Sequence, residues 1–146
     1  MRPEPRPRAQ RIADAQARLA QEIDCWVASA DEAGNAHLVP FSYAWLDGTV
    51  VIAMPPANRT AVNLLRAGVA RLALDGTRDV VLIDGTVSEG VDDATRAAYA
   101  ARAGWDPRSE LAEAGWLRIT PTRIQTWREA NELQGRTVME DGAWLE

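Results

Sequence analysis

The tripeptide Asp-Gly-Thr occurs three times, at Asp47, Asp75 and Asp84, each time after an apolar run. Asp-Gly accepts the positive φ angles of a two-residue turn, so apolar runs flanking it are antiparallel strands. "TVVIAM" (49–54) is the return strand of a hairpin turning at Asp47-Gly48. "VARLALD" (69–75) alternates Val69, Arg71 and Ala73 against Ala70, Leu72 and Leu74, then turns through the second copy into "DVVLIDGTVSEG" (79–90). The third copy lies inside that run, and the apolar pattern resumes at once. It therefore marks a β-bulge and not a turn. The copies are turns and a bulge at unequal spacing, not units of a repeat.

The remaining pattern fits around these strands. Ile12, Ala15, Leu19 and Ile23 recur at helical spacing and predict a helix over 7–22. "CWVASA" (25–30) and "AHLVPFSYAWL" (36–46) read as strands, and Pro40 puts the second at a sheet edge or a bulge. Thr60 is the expected N-cap of a helix with Val62, Leu64 and Leu65 facing the core and Gly68 ending it. "DDATRAAYAARAG" (92–104) is a capped helix, "WLRITPTRIQTW" (116–127) a long strand kinked at Pro121, and the last twelve residues a small hairpin around Asp141-Gly142. Hairpins dominate and parallel βαβ repetition is absent. The expectation is a mainly β, six-stranded antiparallel Greek-key barrel with peripheral helices. It is one domain over 9–146 behind a flexible Pro/Arg-rich tail over 1–8.

Single residue types restrict the chemistry. The chain has one Cys (Cys25), one His (His37) and no Lys, all 16 basic residues being Arg. An intramolecular disulfide and a cysteine-rich zinc site are excluded, as are a P-loop lysine and a lysine Schiff base. No G-x-S-x-G elbow accompanies the single histidine. A reaction here needs a bound cofactor to carry it. The net charge is −5, and with the arginine-rich first eight residues set aside the body is more acidic still. Nucleic acid is not an expected partner. No apolar run reaches membrane-spanning length and no signal-peptide pattern is present, so neither a membrane nor secretion is expected; the lone thiol suits the cytoplasm.

One stretch departs from helix chemistry. "MPPANRTAVNLLRAG" (54–68) sets Arg59 directly before a helix start, where the macrodipole is already positive. Either Arg59 is a solvated loop residue and Thr60 only a cap, or the two share an anion with the unpaired N–H groups of the first turn. His37, in a strand pattern, reads first as a hydrogen-bonded structural histidine, and Cys25 as buried. Trp26 and Trp45 are candidates for the core or a dimer interface. Trp105, Trp116, Trp127 and Trp144 are candidates for an apolar pocket or plain burial. Tyr43 is a candidate for ring stacking, proton supply or plain packing. Arg78 is expected to pair with its acidic neighbours in the turn.

The run "HLVPFSYAWLDGTVVIAMPPANRTAVNLLRAGVARLALDGTRDVVLIDGTVSEG" (37–90) resembles the pyridoxamine 5′-phosphate oxidase-like split barrels, and among them most the flavin- and deazaflavin-dependent oxidoreductases. The resemblance covers roughly residues 12–127, and "NRTAVNL" with the paired strands "VARLALD" and "DVVLIDGTV" carries most of it. It implies a homodimer with two cofactor sites at the interface. Carried onto this chain, Arg59 and Thr60 hold the cofactor phosphate, with Asn58 also among the cofactor-binding residues and Asn63 in the first helical turn. Val39, Pro40 and Ser42 lie along the ring, near Met54 and Pro55, and Trp127 approaches from the other subunit. The implied reaction is hydride transfer between the ring and an unsaturated small organic substrate. Coenzyme F420, a deazaflavin, is the first expectation and FMN the second. The Arg-for-Lys bias and high alanine content suit the GC-rich bacteria in which the deazaflavin is common. Pyridoxamine phosphate oxidases proper carry strand lysines that this chain lacks. An FMN-dependent enzyme of that type and a non-catalytic flavin, haem or tetrapyrrole carrier are the alternatives.

Overall fold

The computed structural model describes residues 3–146. Its frame is a single antiparallel sheet. The strands are β1 (Asp24–Ala30), β2 (Ala36–Ser42), β3 (Ala44–Leu46), β4 (Thr49–Met54), β5 (Val69–Leu74), β6 (Val80–Glu89), β7 (Gly115–Trp127), β8 (Thr137–Glu140) and β9 (Ala143–Trp144). The helices are α1 (Arg8–Gln21), α2 (Arg59–Ala67), α3 (Asp93–Ala103) and α4 (Pro107–Glu110), with a 3-10 turn over Ala130–Glu132. The strand order is β2-β1-β5-β6-β7-β4-β3, and β8 and β9 extend from β7. The sheet thus has nine strands where six were expected. β3 is a separate short strand, and the C-terminal hairpin joins the sheet through β7. Strands β4 to β7 make a Greek key: α2 crosses from β4 to β5, and β7 returns beside β4.

The connectivity forces this sheet to curl. Seven strands laid flat would hold β2 and β3 about 29 Å apart. Only Tyr43 separates Ser42 of β2 from Ala44 of β3, and two Cα steps span at most about 7 Å. The two edges therefore meet at one corner of a half-barrel. That corner is pinned: Tyr43 donates from its backbone N to Ile23 O at 2.8 Å and from its hydroxyl to Leu19 O at 2.9 Å. The Tyr99 hydroxyl donates to Ser42 O at 3.2 Å and accepts from Trp105 Nε1 at 3.0 Å. Tyr43 is fully buried and its hydroxyl is committed, so it is a corner residue and supplies no proton. The break in the expected strand 36–46 falls at this corner and not at Pro40. Pro40 instead sits on β2, an edge strand paired only with β1.

Side chains alternate across the strands as the sequence pattern requires. Val39, Val27, Leu72 and Ile83 share the inner face, and Val27, Leu72 and Ile83 are buried. A second cluster of Ala44, Val51, Ala53, Tyr99, Ala103 and Trp116 packs α3 outside the barrel. The bulge expected at Asp84-Gly85 is present, with the extra residue, Thr122, on the opposite strand: Asp84 pairs with Arg123 and Gly85 with Pro121. Pro121 falls in the gap between the β4 and β8 pairings of β7, where no ladder bond is lost.

Three arginines make contacts that the sequence pattern did not suggest. Residues 1 and 2 of the expected tail lie outside the described residues, but Arg6 is held. It donates to Glu132 from its backbone N (2.8 Å), Nε (3.0 Å) and Nη2 (2.8 Å), and to Asp14 from Nη1 at 2.9 Å. Arg11 is buried among carbonyls, its Nη1 donating to Glu132 O at 2.9 Å and Gly135 O at 3.0 Å. Arg78 pairs with Glu129, just past the adjacent end of β7, at 2.9 Å and not with its sequence neighbours.

Candidate functional site

Helix α2 begins two residues earlier than its pattern suggests. Asn58 is the N-cap, its Oδ1 accepting from Thr60 N at 2.9 Å, and Gly68 ends the helix at φ 74°. The first intrahelical bond runs from Val62 N to Asn58 O, which leaves the N–H groups of Arg59 and Ala61 without an intrahelical partner. Thr60 therefore lies inside the helix, and its buried side chain shares a face with Ala61, Asn63 and Leu64. Val62 and Leu65, expected in the core, are exposed. A helix lying across a barrel end buries a face about 100° wide, and here that face carries two polar residues.

Those two polar residues differ in their satisfaction. Asn63 donates from Nδ2 to Ser29 Oγ on β1 at 3.1 Å. Thr60 Oγ1 is fully buried and has no hydrogen-bond partner, alone in this among the described buried side-chain atoms. Beside it, Arg59 is exposed and makes no ion pair or hydrogen bond among the described residues. Two turns on, Arg66 donates from Nη2 to Ala30 O at 2.7 Å. Arg59, Asn63 and Arg66 follow helical spacing, a row legible in the sequence once the facing strand is known. The Ser29 partner and the Arg66 contact carried no sequence signal.

The other expected site residues divide among several places. Pro40 and Ser42 point outward, Pro40 opposite Trp26 and Ser42 opposite Asp24, with Ser42 Oγ donating to Asp24 Oδ1 at 3.0 Å. They border a depression of about 420 Å³ with Trp26 and Phe41. Val39 points the other way, into the barrel, so it can offer only backbone to a ligand lying along the outer face of β2. Met54 is buried at the end of β4 opposite Gly115, and Pro55 and Asn58 are exposed in the turn that follows. His37 stands opposite Ser29 at the α2 end of β2 and makes no hydrogen bond among the described residues, against the expectation of a bonded histidine. From His37 to Ser42 is about 17 Å along the strand. A single molecule touching both groups has to be extended.

Trp127 is not brought to the rest within one chain. It pairs with Val80 at the far end of β7, while Gly115 at the near end faces Met54. Twelve strand residues separate them, about 40 Å. Its ring lies under Arg136, 6.0 Å from the guanidinium carbon. Burial pushes the Cys25 thiol up to about 12 and raises the Tyr43 phenol further, so neither is an ionised nucleophile or base near neutral pH. Asp31, in the turn between β1 and β2, is held below the usual carboxylate range, chiefly by hydrogen bonds from Asn35 and least by the charge of Arg59.

Outside the helix row, the outer face of β2-β1-β5 carries an apolar patch, bordered by Arg71 on β5 and by Asp24 and Ser42 at the other end. Leu38 is 62% exposed, Trp26 40% and Val69 59%. Leu38 stands opposite Ala28, and Trp26 lies between Pro40 and Ala73. No helix among the described residues is long and apolar enough to cross a membrane.

Solved structures share this fold at low identity. A haem-binding protein from Mycobacterium smegmatis aligns over 97% of this chain and 60% of its own, with a TM-score of 0.73 and 17% identity. An F420 reductase aligns over 75% of this chain and 94% of its own (TM-score 0.62, 16% identity). An FAD-binding protein from Mesorhizobium loti aligns over 78% and 91% (TM-score 0.62, 17% identity). No curated protein sequence matches the chain. The family model of pyridoxamine 5′-phosphate oxidase matches residues 13–128, from within α1 to the end of β7, and the chain belongs to that family.

Proposed function

We propose that this protein is a flavin- or deazaflavin-dependent oxidoreductase whose cofactor phosphate sits at the start of α2. The observation that carries the reading is the orphaned Thr60 Oγ1. A buried hydroxyl without a partner costs about 1–3 kcal/mol, and a phosphate oxygen is the partner it lacks. Threonine has two χ1 wells in a helix, so the hydroxyl can turn toward an arriving oxygen. The unpaired Arg59 and the N–H groups of Arg59 and Ala61 complete an anion cradle, with Asn58 fixing its rim. These residues fit the phosphate end of such a cofactor. When bound, the ring supplies hydride transfer to or from an unsaturated organic substrate.

The chain's own part is binding and orientation. β2 pairs on one side only, so unpaired backbone groups between Val39 and Phe41 can meet the heteroatom edge of a planar ring, while Ser42 O is held by Tyr99. Pro40 and Ser42 line its outward face, and Asn63 ties α2 to β1 so that ring and phosphate subsites keep a fixed separation. Two copies pair through the outer face of β2 and β1, covering the ring, and Trp127 comes from the second copy. Coenzyme F420 is the first cofactor reading and FMN the second.

The test is a visible spectrum of the purified protein, then separate titrations with F420 and FMN. Saturable binding of F420 is expected, weakened about 10- to 100-fold by Arg59→Ala, the loss of a charge-assisted contact. Tightly held FMN in the purified protein would reverse the order of the two cofactors. Binding of neither overturns the oxidoreductase reading. A haemin titration belongs in the same series. The likeness to the haem-binding protein spans nearly the whole chain, and His37, half-buried on the edge strand β2, makes no hydrogen bond among the described residues. Haemin binding abolished by His37→Ala, without F420 or FMN binding, would favour a carrier.

A further inference from the structure

Beyond the cofactor cradle, a second depression of about 450 Å³ opens between the C-terminal half of α2, the end of β1 and the paired strands β5 and β6. Its walls are mostly small and apolar, with Ala28, Ala30, Ala67 and Ala70 and with Gly85 at the bulge, and the Asn63–Ser29 pair closes the side toward the helix start. Two arginines border it. Arg66 spends Nη2 on Ala30 O at 2.7 Å, and Arg71 spends Nε on Asp84 Oδ1 at 2.6 Å. Nε and Nη1 of Arg66 and both Nη atoms of Arg71 donate to no group among the described residues. Asp84 offsets one of the two positive charges, so the rim keeps a net positive charge in an otherwise acidic protein.

We propose that this depression binds a small organic carboxylate with a flat apolar body. The carboxylate takes the free guanidinium edges at the rim, a geometry that suits two oxygens in one plane. The body lies against the alanines, Val69 and Gly85, whose short side chains leave room for a flat ring. Two features separate this site from the α2 start. It is entered beside Arg66 and Arg71, two turns beyond Arg59. It also uses strand residues Ala28, Arg71 and Asp84, none of which borders the cofactor cradle. The proposal does not depend on the oxidoreductase reading.

Benzoate is the probe and benzamide, its neutral counterpart, the control. Both are titrated into the full isotope-labelled chain while backbone amide shifts are followed. Benzoate is expected to move amides of residues 28–30, 67–71 and 85–86 to saturation, and benzamide is not. Arg66→Gln and Arg71→Gln are each expected to raise the benzoate Kd about fivefold, the scale of a partly exposed charge-assisted contact. Both positions are solvent-facing, so the variants fold. Arg59→Ala leaves the Kd unchanged. The proposal is overturned if benzoate gives no saturable shift, if benzamide binds equally well, or if both glutamine variants keep the wild-type Kd. Shifts confined to residues 55–61 and lost in Arg59→Ala would place the anion in the cofactor cradle and overturn it as well.

Discussion

Thr60 is where residue-level chemistry and function meet. A valine of the same shape removes the orphaned hydroxyl and keeps the packing. Thr60→Val is therefore expected to stabilise the ligand-free protein by about 1 kcal/mol, read as a higher thermal midpoint. The same change is expected to weaken F420 or FMN binding about tenfold. A purely structural Thr60 would move stability without moving affinity. Glu132 makes a contrasting case, a buried carboxylate with every contact satisfied. It accepts from three nitrogens of Arg6 and from Arg128 N. The Arg6 hydrogen bonds hold its pKa down to about 2 from an ordinary 4.5. A depressed carboxylate stabilises the fold above the unfolded-state value and loses that contribution as pH falls through the folded one. The contribution, about 3 kcal/mol at neutral pH, should thus disappear between about pH 4.5 and 2. Denaturant unfolding of wild type and Glu132→Gln across that range tests it. The variant should be weaker at pH 6 and show a shallower decline below pH 4.5.

At the scale of elements, the helix start and the bulge decide how the site is held. Asn58→Ala removes the cap of α2 and should cost about 1 kcal/mol, checked by chemical denaturation. Gly85 is required for a different reason. A Cβ there would stand 2.6 Å from Thr120 O and 2.7 Å from Ile119 Cγ2. Both neighbours belong to the adjacent strand, so Gly85→Ala should cost more than about 2 kcal/mol, or fail to fold, in the same measurement. These two elements also mark how far the sequence could be read. Strand alternation, the Asp-Gly turns, the bulge and the Gly68 end of α2 were all legible, because each rests on a local rule. The core face of α2 was not. Val62, Leu64 and Leu65 are the most apolar residues of the helix, and only Leu64 faces inward, because the barrel end also offers polar partners such as Ser29. The cap was misplaced by two residues, since Asn58 and Thr60 are both good N-caps and nothing local chooses between them. Arg59 and Asn63 could be placed on one helix row from sequence, but their neighbours on β1 are set by long-range pairing.

The whole molecule leaves one surface that the single chain does not explain. The curled sheet buries its inner face and covers part of its outside with α3, yet the outer side of β2-β1-β5 stays bare. Leu38 and Trp26 sit there on adjacent strands, beside Pro40. Alternation fixes them outward once the inner residues are buried, so a one-residue shift would expose the core instead. An edge strand such as β2 with an apolar face is also a liability unless something covers it. On the proposed pairing a second copy does so, bringing its own β2 and Trp26 to the same surface by two-fold symmetry. Burying a tryptophan is worth about 1.5–3 kcal/mol per side chain, and symmetry counts it twice. Trp26→Glu should therefore weaken association at least about a hundredfold and leave the fold intact, because the residue contributes little to the core of its own chain. Sedimentation velocity over a concentration series is the measurement: dimer for wild type, monomer for the variant, with unchanged circular dichroism. A monomeric wild type would defeat the pairing. A dimeric Trp26→Glu would move the interface to another face. If the ring subsite is completed across the interface, the same variant should also lose cofactor affinity while its Arg59 cradle is untouched, which ties the assembly to the site.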